Sequence, residues 1–235
     1  MIQLKLSKRL QQVASLVPNG ATLADIGSDH AYLPAYLIEE GRIRFAIAGE
    51  VNQGPYETAK RTVEEAGCSE RIRVRKGNGL EVLEAGEVNT VTICGMGGGT
   101  IVDILSRGKD KLTGVRQLVL QPMVDGDQLR RWLHANGWRI AKEELVVDEG
   151  ILYEILKAEP GYERYHDDLW YEVGSVELLR HHPLFPDKLK AAIGKIDRVL
   201  KSLRKAQGEE ALQKQEALVQ KKKRLEEVLR LCKPQ

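Results

Sequence analysis

The chain has 235 residues, enough for one sizeable domain and a smaller appendage. Its composition, 42% hydrophobic and 30% charged, is ordinary for a globular protein, and no window approaches the ~18 uninterrupted apolar residues of a membrane span. Residues 187–235 hold 14 Lys and Arg against 7 Asp and Glu, whereas residues 1–186 hold 22 against 27. A mildly acidic body is therefore expected to carry a basic tail.

The cysteines and the N-terminus indicate a cytoplasmic protein. The N-terminus, residues 1–5, has no apolar core behind its lysine, which argues against a secretory signal. The three cysteines are scattered, odd in number and without metal spacing, as is typical of a reducing compartment: Cys68, Cys94 and Cys232. The histidines at 166 and at 181–182 lack the spacing of a ligand pair, so no metal site is expected.

The first two thirds of the chain alternate between strand-like and helix-like segments. A first helix is predicted to end at the Pro18-Asn19-Gly20 turn. Apolar runs predict strands at 22–26, 45–51, 72–76, 90–95 and 117–123. The stretches between them predict helices at 34–41, 54–66, 98–106 and 126–136. Strands that are nearly continuous in apolar residues and alternate with helices indicate a parallel sheet covered on both faces.

Two further strands, 139–147 and 151–158, are predicted to form a hairpin through Asp148-Glu149-Gly150. Five βα units closed by an antiparallel pair resemble the seven-stranded sheet of class I methyltransferases, whereas a dehydrogenase domain would more often add another parallel unit. The predicted fold is α/β, a doubly wound Rossmann-like seven-stranded methyltransferase sheet over residues 1–162, followed by a C-terminal helical coiled-coil domain over 163–235.

The C-terminal domain is predicted from its apolar spacing. Leucine and isoleucine recur at 4-3-4-3 spacing from Leu189 to Leu203, and a similar stripe resumes from Leu218 to Cys232. Two amphipathic helices are expected to pair as an antiparallel hairpin and to pack on a helix at about 167–181. Their basic residues suit RNA phosphates or a solvated coiled-coil face: Lys195, Arg198, Lys201, Arg204, Lys205, Lys214, Lys221, Lys222, Lys223 and Arg224.

Acidic residues follow the first two strands, where an open α/β sheet binds its ligand. Glu50 lies 23 residues after Gly27, near the offset at which an acid accepts the hydroxyls of a ribose. Asp25 and Asp29 flank the first turn, and Asp29 there would repel a dinucleotide's pyrophosphate. S-adenosylmethionine carries a sulfonium and an ammonium that suit such carboxylates, so it is the predicted cofactor, in preference to NAD.

Glycines follow the third and fourth strands. Gly77-Asn78-Gly79 would let the backbone approach an adenine, and Gly95-Met96-Gly97-Gly98-Gly99 would allow close approach of a ligand or of neighbouring backbone. A phosphate-binding nest is the rival interpretation of the second run. The predicted cofactor-binding residues are Asp25, Gly27, Asp29, His30, Glu50, Val51, Asn78, Gly79, Gly95, Met96 and Gly97.

Several of these segments together resemble the bacterial tRNA (adenine(22)-N1)-methyltransferase family. The resemblance rests on ADIGSDHAYLP at 24–34, AGE at 48–50, GL at 79–80, GMGG at 95–98 and LVLQP at 118–122. It covers essentially the full chain, including a helical coiled-coil domain after the methyltransferase domain. Asn78 and Met123 depart from the family, which more often has Asp and Asn at these positions.

The resemblance implies S-adenosylmethionine-dependent methylation of N1 of an adenine, adenine 22, in the D-arm region of tRNA. The protein is expected to be a monomer. Asp29 or Gln121 is expected to accept a hydrogen bond from the target amino group, and Tyr32 to stack on or orient the base. Three other functions remain open at this point: an NAD-dependent oxidoreductase, which Asp29 and the antiparallel strand pair disfavour, a non-catalytic RNA-binding protein, and a methyltransferase of a small molecule.

Overall fold

The computed structural model describes residues 4–203 and 208–232, so that Arg204 and Lys205 of the predicted basic surface lie outside the described residues. The chain divides into two compact units, Met1–Arg164 and Tyr165–Gln235. None of the helices within the described residues is long and apolar enough to cross a membrane.

The first unit is built on a seven-stranded sheet in the order β3-β2-β1-β4-β5-β7-β6. Its strands are β1 (Ala21–Ile26), β2 (Ile43–Glu50), β3 (Ile72–Lys76), β4 (Thr90–Met96), β5 (Gln117–Pro122), β6 (Trp138–Asp148) and β7 (Ile151–Pro160). The first five strands pair in parallel, and β7 runs antiparallel to both of its neighbours. This is the predicted Rossmann-like arrangement, closed by the predicted hairpin.

Five helices accompany the parallel strands. They are α1 (Lys8–Leu16), α2 (Tyr32–Glu39), α3 (Gln53–Glu65), α4 (Gly98–Arg107) and α5 (Gly126–Ala135). The helix α1 begins where the Ser7 hydroxyl accepts a hydrogen bond from the backbone N–H of Leu10 (3.3 Å), and it buries Val13, Ala14 and Leu16. Since β1 and β5 lie between other strands, almost all of their residues are buried, as the apolar runs predicted.

The second unit is helical. Its helices are α6 (Asp168–Val173), α7 (Val176–Leu179), α8 (Phe185–Leu203) and α9 (Glu209–Leu231). The prediction of one helix at about 167–181 is wrong, because Gly174 takes a positive φ of 96° that ends α6, and Ser175 starts α7 by capping the N–H of Leu178. The two long helices pack on each other, with Leu189, Ile196 and Leu225 buried.

Candidate active site

The turn after β1 is held in an unusual backbone conformation. Three consecutive residues that are not glycine, Asp29, His30 and Ala31, have positive φ angles of 43°, 76° and 60°. Such angles cost free energy in residues with a Cβ and cluster at functional sites. The turn is anchored to β2, because the N–H groups of Gly27 (2.9 Å) and Ser28 (3.3 Å) both donate to the carbonyl oxygen of Gly49.

Asp25, near the end of β1, is buried and hydrogen-bonded. The hydroxyl groups of Ser28 (2.8 Å) and Thr92 (2.5 Å) donate to its two carboxylate oxygens. Burial raises the pKa of Asp25, and the two hydroxyls offset only part of that effect. No sequence pattern singled out Thr92, which the sheet pairs directly with Asp25 across β4 and β1.

Glu50, the last residue of β2, is only 6% exposed and faces the β1 turn. Its Oε1 atom is buried and has no hydrogen-bond partner within the described residues. Burial raises the pKa of Glu50, a backbone hydrogen bond from Asp29 lowers it, and the charges of Asp25 and Asp29 raise it further. A buried oxygen without a donor is costly, so this acid is suited to accept a hydrogen bond from a ligand.

The side chains of Asp29, His30 and Tyr32 line the outer part of the turn. The Asp29 side chain is 88% exposed, and its Oδ1 atom lies 3.4 Å from Nε2 of His30. The His30 ring packs edge-on against the Tyr32 ring with centroids 5.7 Å apart, and Tyr32 itself is 42% exposed. The buried Nδ1 atom of His30 likewise has no partner among residues 4–203 and 208–232. The turn thus presents a carboxylate and an aromatic face outward.

The end of β4 carries a β-bulge. The register between β4 and β5 shifts between Cys94 and Met96, and Gly95 between them has a φ of 74°. The thioether methyl of Met96 lies 2.1 Å from where a Cβ would stand on Gly27, so the ends of β1 and β4 touch through a glycine. Met96 therefore lies beside the β1 turn, whereas Gly95 lies near Arg9 and Gly97 near Val124.

Gly98 has a structural reason to be glycine. A Cβ there would stand 2.1 Å from the carbonyl oxygen of Asp125, and the Gly98 N–H donates to the carbonyl of Val124 (2.8 Å). Of the two explanations that the sequence left open for this run of glycines, close approach of neighbouring backbone accounts for Gly98.

Gln121, at the end of β5, is fully buried and its side-chain amide is occupied. Its Oε1 atom accepts hydrogen bonds from the Arg9 guanidinium and from the N–H of Gly95 (3.0 Å), while its Nε2 donates to the carbonyl of Pro122 (2.9 Å). An amide oxygen has two lone pairs, and both are used here. The expectation that Gln121 accepts a hydrogen bond from a target base therefore does not fit the structure, which gives it the task of holding the β4 bulge.

The remaining predicted residues lie at the rim. Val51 and Asn78 are exposed, and the backbone N–H of Gly77 donates to the carbonyl of Glu50 (2.9 Å), which joins the third strand end to the second. Gly79 has a φ of 59°, and a Cβ there would stand 3.0 Å from Ile104, so packing on α4 contributes to the choice of glycine.

Cys94 is a partly buried thiol that packs against the hydrophobic core. It lies near the end of β4, and burial raises its pKa far above the ordinary value, with Arg9 opposing that rise only in part. The thiol is therefore protonated at neutral pH and is not suited to act as a nucleophile.

The sheet order defines a class I methyltransferase fold, with acidic residues grouped at the ends of its first two strands. Residues 23–227 match the family model described as tRNA (adenine(22)-N(1))-methyltransferase. The chain belongs to this family.

Individual relatives agree with that assignment. A tRNA (adenine(22)-N(1))-methyltransferase of Bacillus subtilis is 50% identical over 161 residues, which cover 68% of each chain. The crystal structure of the B. subtilis m1A22 tRNA methyltransferase superposes with a TM-score of 0.88 at 39% identity, covering 97% of this chain and 100% of the other. A Streptococcus pneumoniae putative tRNA (m1A22) methyltransferase, solved in complex with S-adenosyl-L-methionine, gives 0.85 at 39% identity, covering 96% and 100%.

Proposed function

We propose that this protein transfers a methyl group from S-adenosylmethionine to N1 of adenine 22 in bacterial tRNA. The observation that carries the proposal is a buried carboxylate oxygen of Glu50 that has no hydrogen-bond partner within the described residues, close to Asp25 and Asp29 at the carboxyl ends of β1 and β2. Family membership supplies the substrate class, since the relatives are tRNA methyltransferases acting on this adenine.

The residues present fit the cofactor. Glu50 offers its free oxygen to the ribose hydroxyls, and the exposed Asn78 lies where an adenine edge would reach the third strand end. Asp25 and Asp29 supply negative charge for a cationic ligand. The other residues that we propose for the cofactor site are Gly27, His30, Val51, Gly79, Gly95, Met96 and Gly97. When bound, S-adenosylmethionine supplies an electrophilic methyl group on a sulfonium. A bound cation would favour the ionised form of both buried carboxyls.

The reacting atom of the substrate needs little help from an acid or a base. Adenine N1 carries a lone pair at neutral pH, so it attacks without first losing a proton. The chain's task is then to hold the base in line and to stabilise the positive charge that develops on its ring. We assign the first task to Tyr32, whose ring is exposed, and the second to Asp29, whose exposed carboxylate would accept a hydrogen bond from the 6-amino group.

Single-turnover methylation of tRNA tests these roles. We expect Asp29→Asn to lower the rate constant of the chemical step about 10- to 100-fold, because a charged acceptor is replaced by a neutral one. Tyr32→Phe should retain most of the rate, whereas Tyr32→Ala should lose stacking worth about 1–3 kcal/mol. The surface variant Glu57→Gln serves as the control, and unchanged rates in Asp29→Asn and Tyr32→Ala would refute both assignments.

The basic surface of the second unit is a proposed contact with tRNA. It offers fewer available cations than the sequence indicated. Three of the predicted cations are engaged within the unit: Lys221 with Glu172, Lys222 with Asp197 and Glu226, and Arg224 with Asp167. Of the predicted cations on α8 that the structure describes, Lys195, Arg198 and Lys201 are exposed and form no ion pair with another described residue. We propose that these three contact RNA phosphates.

The place of action follows from the same proposal. A tRNA-modifying enzyme with three free cysteines fits the reducing cytoplasm, where its substrate is found. Recovery in the cytoplasmic fraction of the source cells would test this, and the predicted monomeric state is open to a light-scattering measurement.

A further inference from the structure

Arg9, in the first turn of α1, places a guanidinium at the ends of β4 and β5. Its Nη1 donates to Oε1 of Gln121 and lies 3.5 Å from where a Cβ would stand on Gly95. Its Cζ lies 5.5 Å from the centroid of the Tyr153 ring, within the range of a cation–π contact. Arg9 precedes residues 23–227, which match the family model.

The side-chain contacts of this guanidinium within the described residues are with neutral groups, although the Arg9 backbone N–H donates a hydrogen bond to the Asp148 carboxylate (3.1 Å) and, together with the charge of Arg9, lowers the pKa of Asp148. Arg9 forms no ion pair with a described carboxylate, and one of its five N–H donors is committed to Gln121. It is half-buried, and the aromatic face and the amide fix its position. A guanidinium that is held in place and keeps open donors is suited to bind an oxyanion, for which its planar fork of donors is matched.

The position of Arg9 indicates which anion it binds. The acids of the cofactor pocket, Asp25, Asp29 and Glu50, lie at the ends of β1 and β2, and they repel a polyanion that must approach to present a base. Arg9 lies on the opposite side of the β4 bulge, at β5 and β7. We infer that Arg9 binds a backbone phosphate next to the target adenosine. This inference rests on the proposed function.

Binding measurements with tRNA and with S-adenosylmethionine, made separately on each variant, test this inference. Arg9→Gln removes the charge, Arg9→Lys keeps it without the planar fork, and Lys8→Gln removes a neighbouring exposed charge from the same helix as the control. We expect Arg9→Gln to weaken tRNA binding about tenfold, and Arg9→Lys to weaken it less. The slope of log K against log salt should become shallower by about 0.7 to 0.9, which corresponds to the loss of one phosphate contact. The affinity for S-adenosylmethionine should stay within about twofold of the wild type, as it should for Lys8→Gln.

Other results would overturn the assignment. Weaker S-adenosylmethionine binding with unchanged tRNA binding would place Arg9 on the cofactor's carboxylate. A lower kcat with both affinities and the salt slope unchanged would make Arg9 a positioning residue that acts through Gln121. If Arg9→Gln does not fold, the tRNA affinity and salt slope of Arg9→Lys decide the matter. A wild-type protein that neither binds nor methylates tRNA would instead refute the proposed function itself.

Discussion

At the end of β2, Glu50 has one buried carboxylate oxygen without a hydrogen-bond partner within the described residues. Replacing Glu50 by Gln retains its size but puts an amide nitrogen in place of one acceptor. We expect Glu50→Gln to weaken S-adenosylmethionine binding about 5- to 150-fold, since leaving a buried polar group badly paired costs about 1–3 kcal/mol. Calorimetry measures this directly. Glu57→Gln on α3 is the matched control, and equal affinities for the two variants would contradict the assignment of Glu50 to the ribose.

The second prediction at this scale concerns Asp25 and pH. Because burial raises its pKa in the folded protein, the folded state binds more protons than the unfolded chain above the ordinary carboxyl pKa of 3.8. The wild type therefore loses stability relative to Asp25→Asn as pH rises through the raised pKa. Urea unfolding at about pH 4 and about pH 8 should show the difference in free energy of unfolding shifting in favour of the variant at the higher pH. A constant difference, or one that shifts toward the wild type, would contradict the raised pKa.

The sequence alone predicted the acidic residues of the site but not the neighbouring residues Thr92 and Arg9. Asp25 and Glu50 were recognisable from their positions after apolar strands, because those ends meet at one edge of a parallel sheet. The hydroxyl of Thr92 and the guanidinium of Arg9 reach the site through strand register and helix packing, which no local pattern encodes. For the same reason the sequence assigned Gln121 to the substrate, whereas the structure commits its amide to Arg9 and Gly95.

Among the elements, the junction of β4, α4 and the loop after β5 fixes the shape of the site. Gly98 starts α4 against the backbone of Asp125, so Gly98→Ala forces either the loop or the helix to move. We expect a loss of about 3 kcal/mol in the free energy of unfolding, the upper end of overpacking costs. Gly54→Ala in α3 is the control, because nothing lies within 4 Å of its Cβ position and alanine favours a helix by up to about 1 kcal/mol.

Urea unfolding of the two variants separates packing from helix propensity. A destabilised Gly98→Ala beside an unchanged or stabilised Gly54→Ala would support the backbone contact. Equal free energies of unfolding would show that the β4–α4 junction accommodates the added methyl group without a loss of stability.

Element order and type followed from the sequence, because apolar runs and helical spacing are local signals. The strands at 22–26 and 72–76, for example, lie within one residue of β1 and β3. The break between α6 and α7 did not follow, since a single glycine with positive φ, Gly174, decides it. A glycine in a helical pattern is tolerated often enough that the sequence alone does not fix a boundary there.

At the scale of the whole molecule, fewer cations of the second unit are available to RNA than its net charge indicates. We expect Lys195→Gln with Lys201→Gln to weaken tRNA binding and to make its salt dependence shallower, by about 0.7 to 0.9 per lost contact. The matched control is Lys221→Gln with Lys222→Gln, which removes the same charge from lysines engaged by Glu172 and Asp197. Filter binding at several salt concentrations measures both, and an equal effect of the two pairs would mean that only net charge matters.

Methylation of a tRNA transcript by the wild-type protein tests the proposed function most directly. Primer extension maps the modified position. A methyl group on N1 blocks base pairing, so the account predicts a stop at adenine 22 that depends on S-adenosylmethionine. A transcript with guanine at this position should give no stop, and Glu50→Gln should give a weaker one at limiting cofactor. Methylation at another position, equal labelling of both transcripts, or no transfer at all would contradict the account.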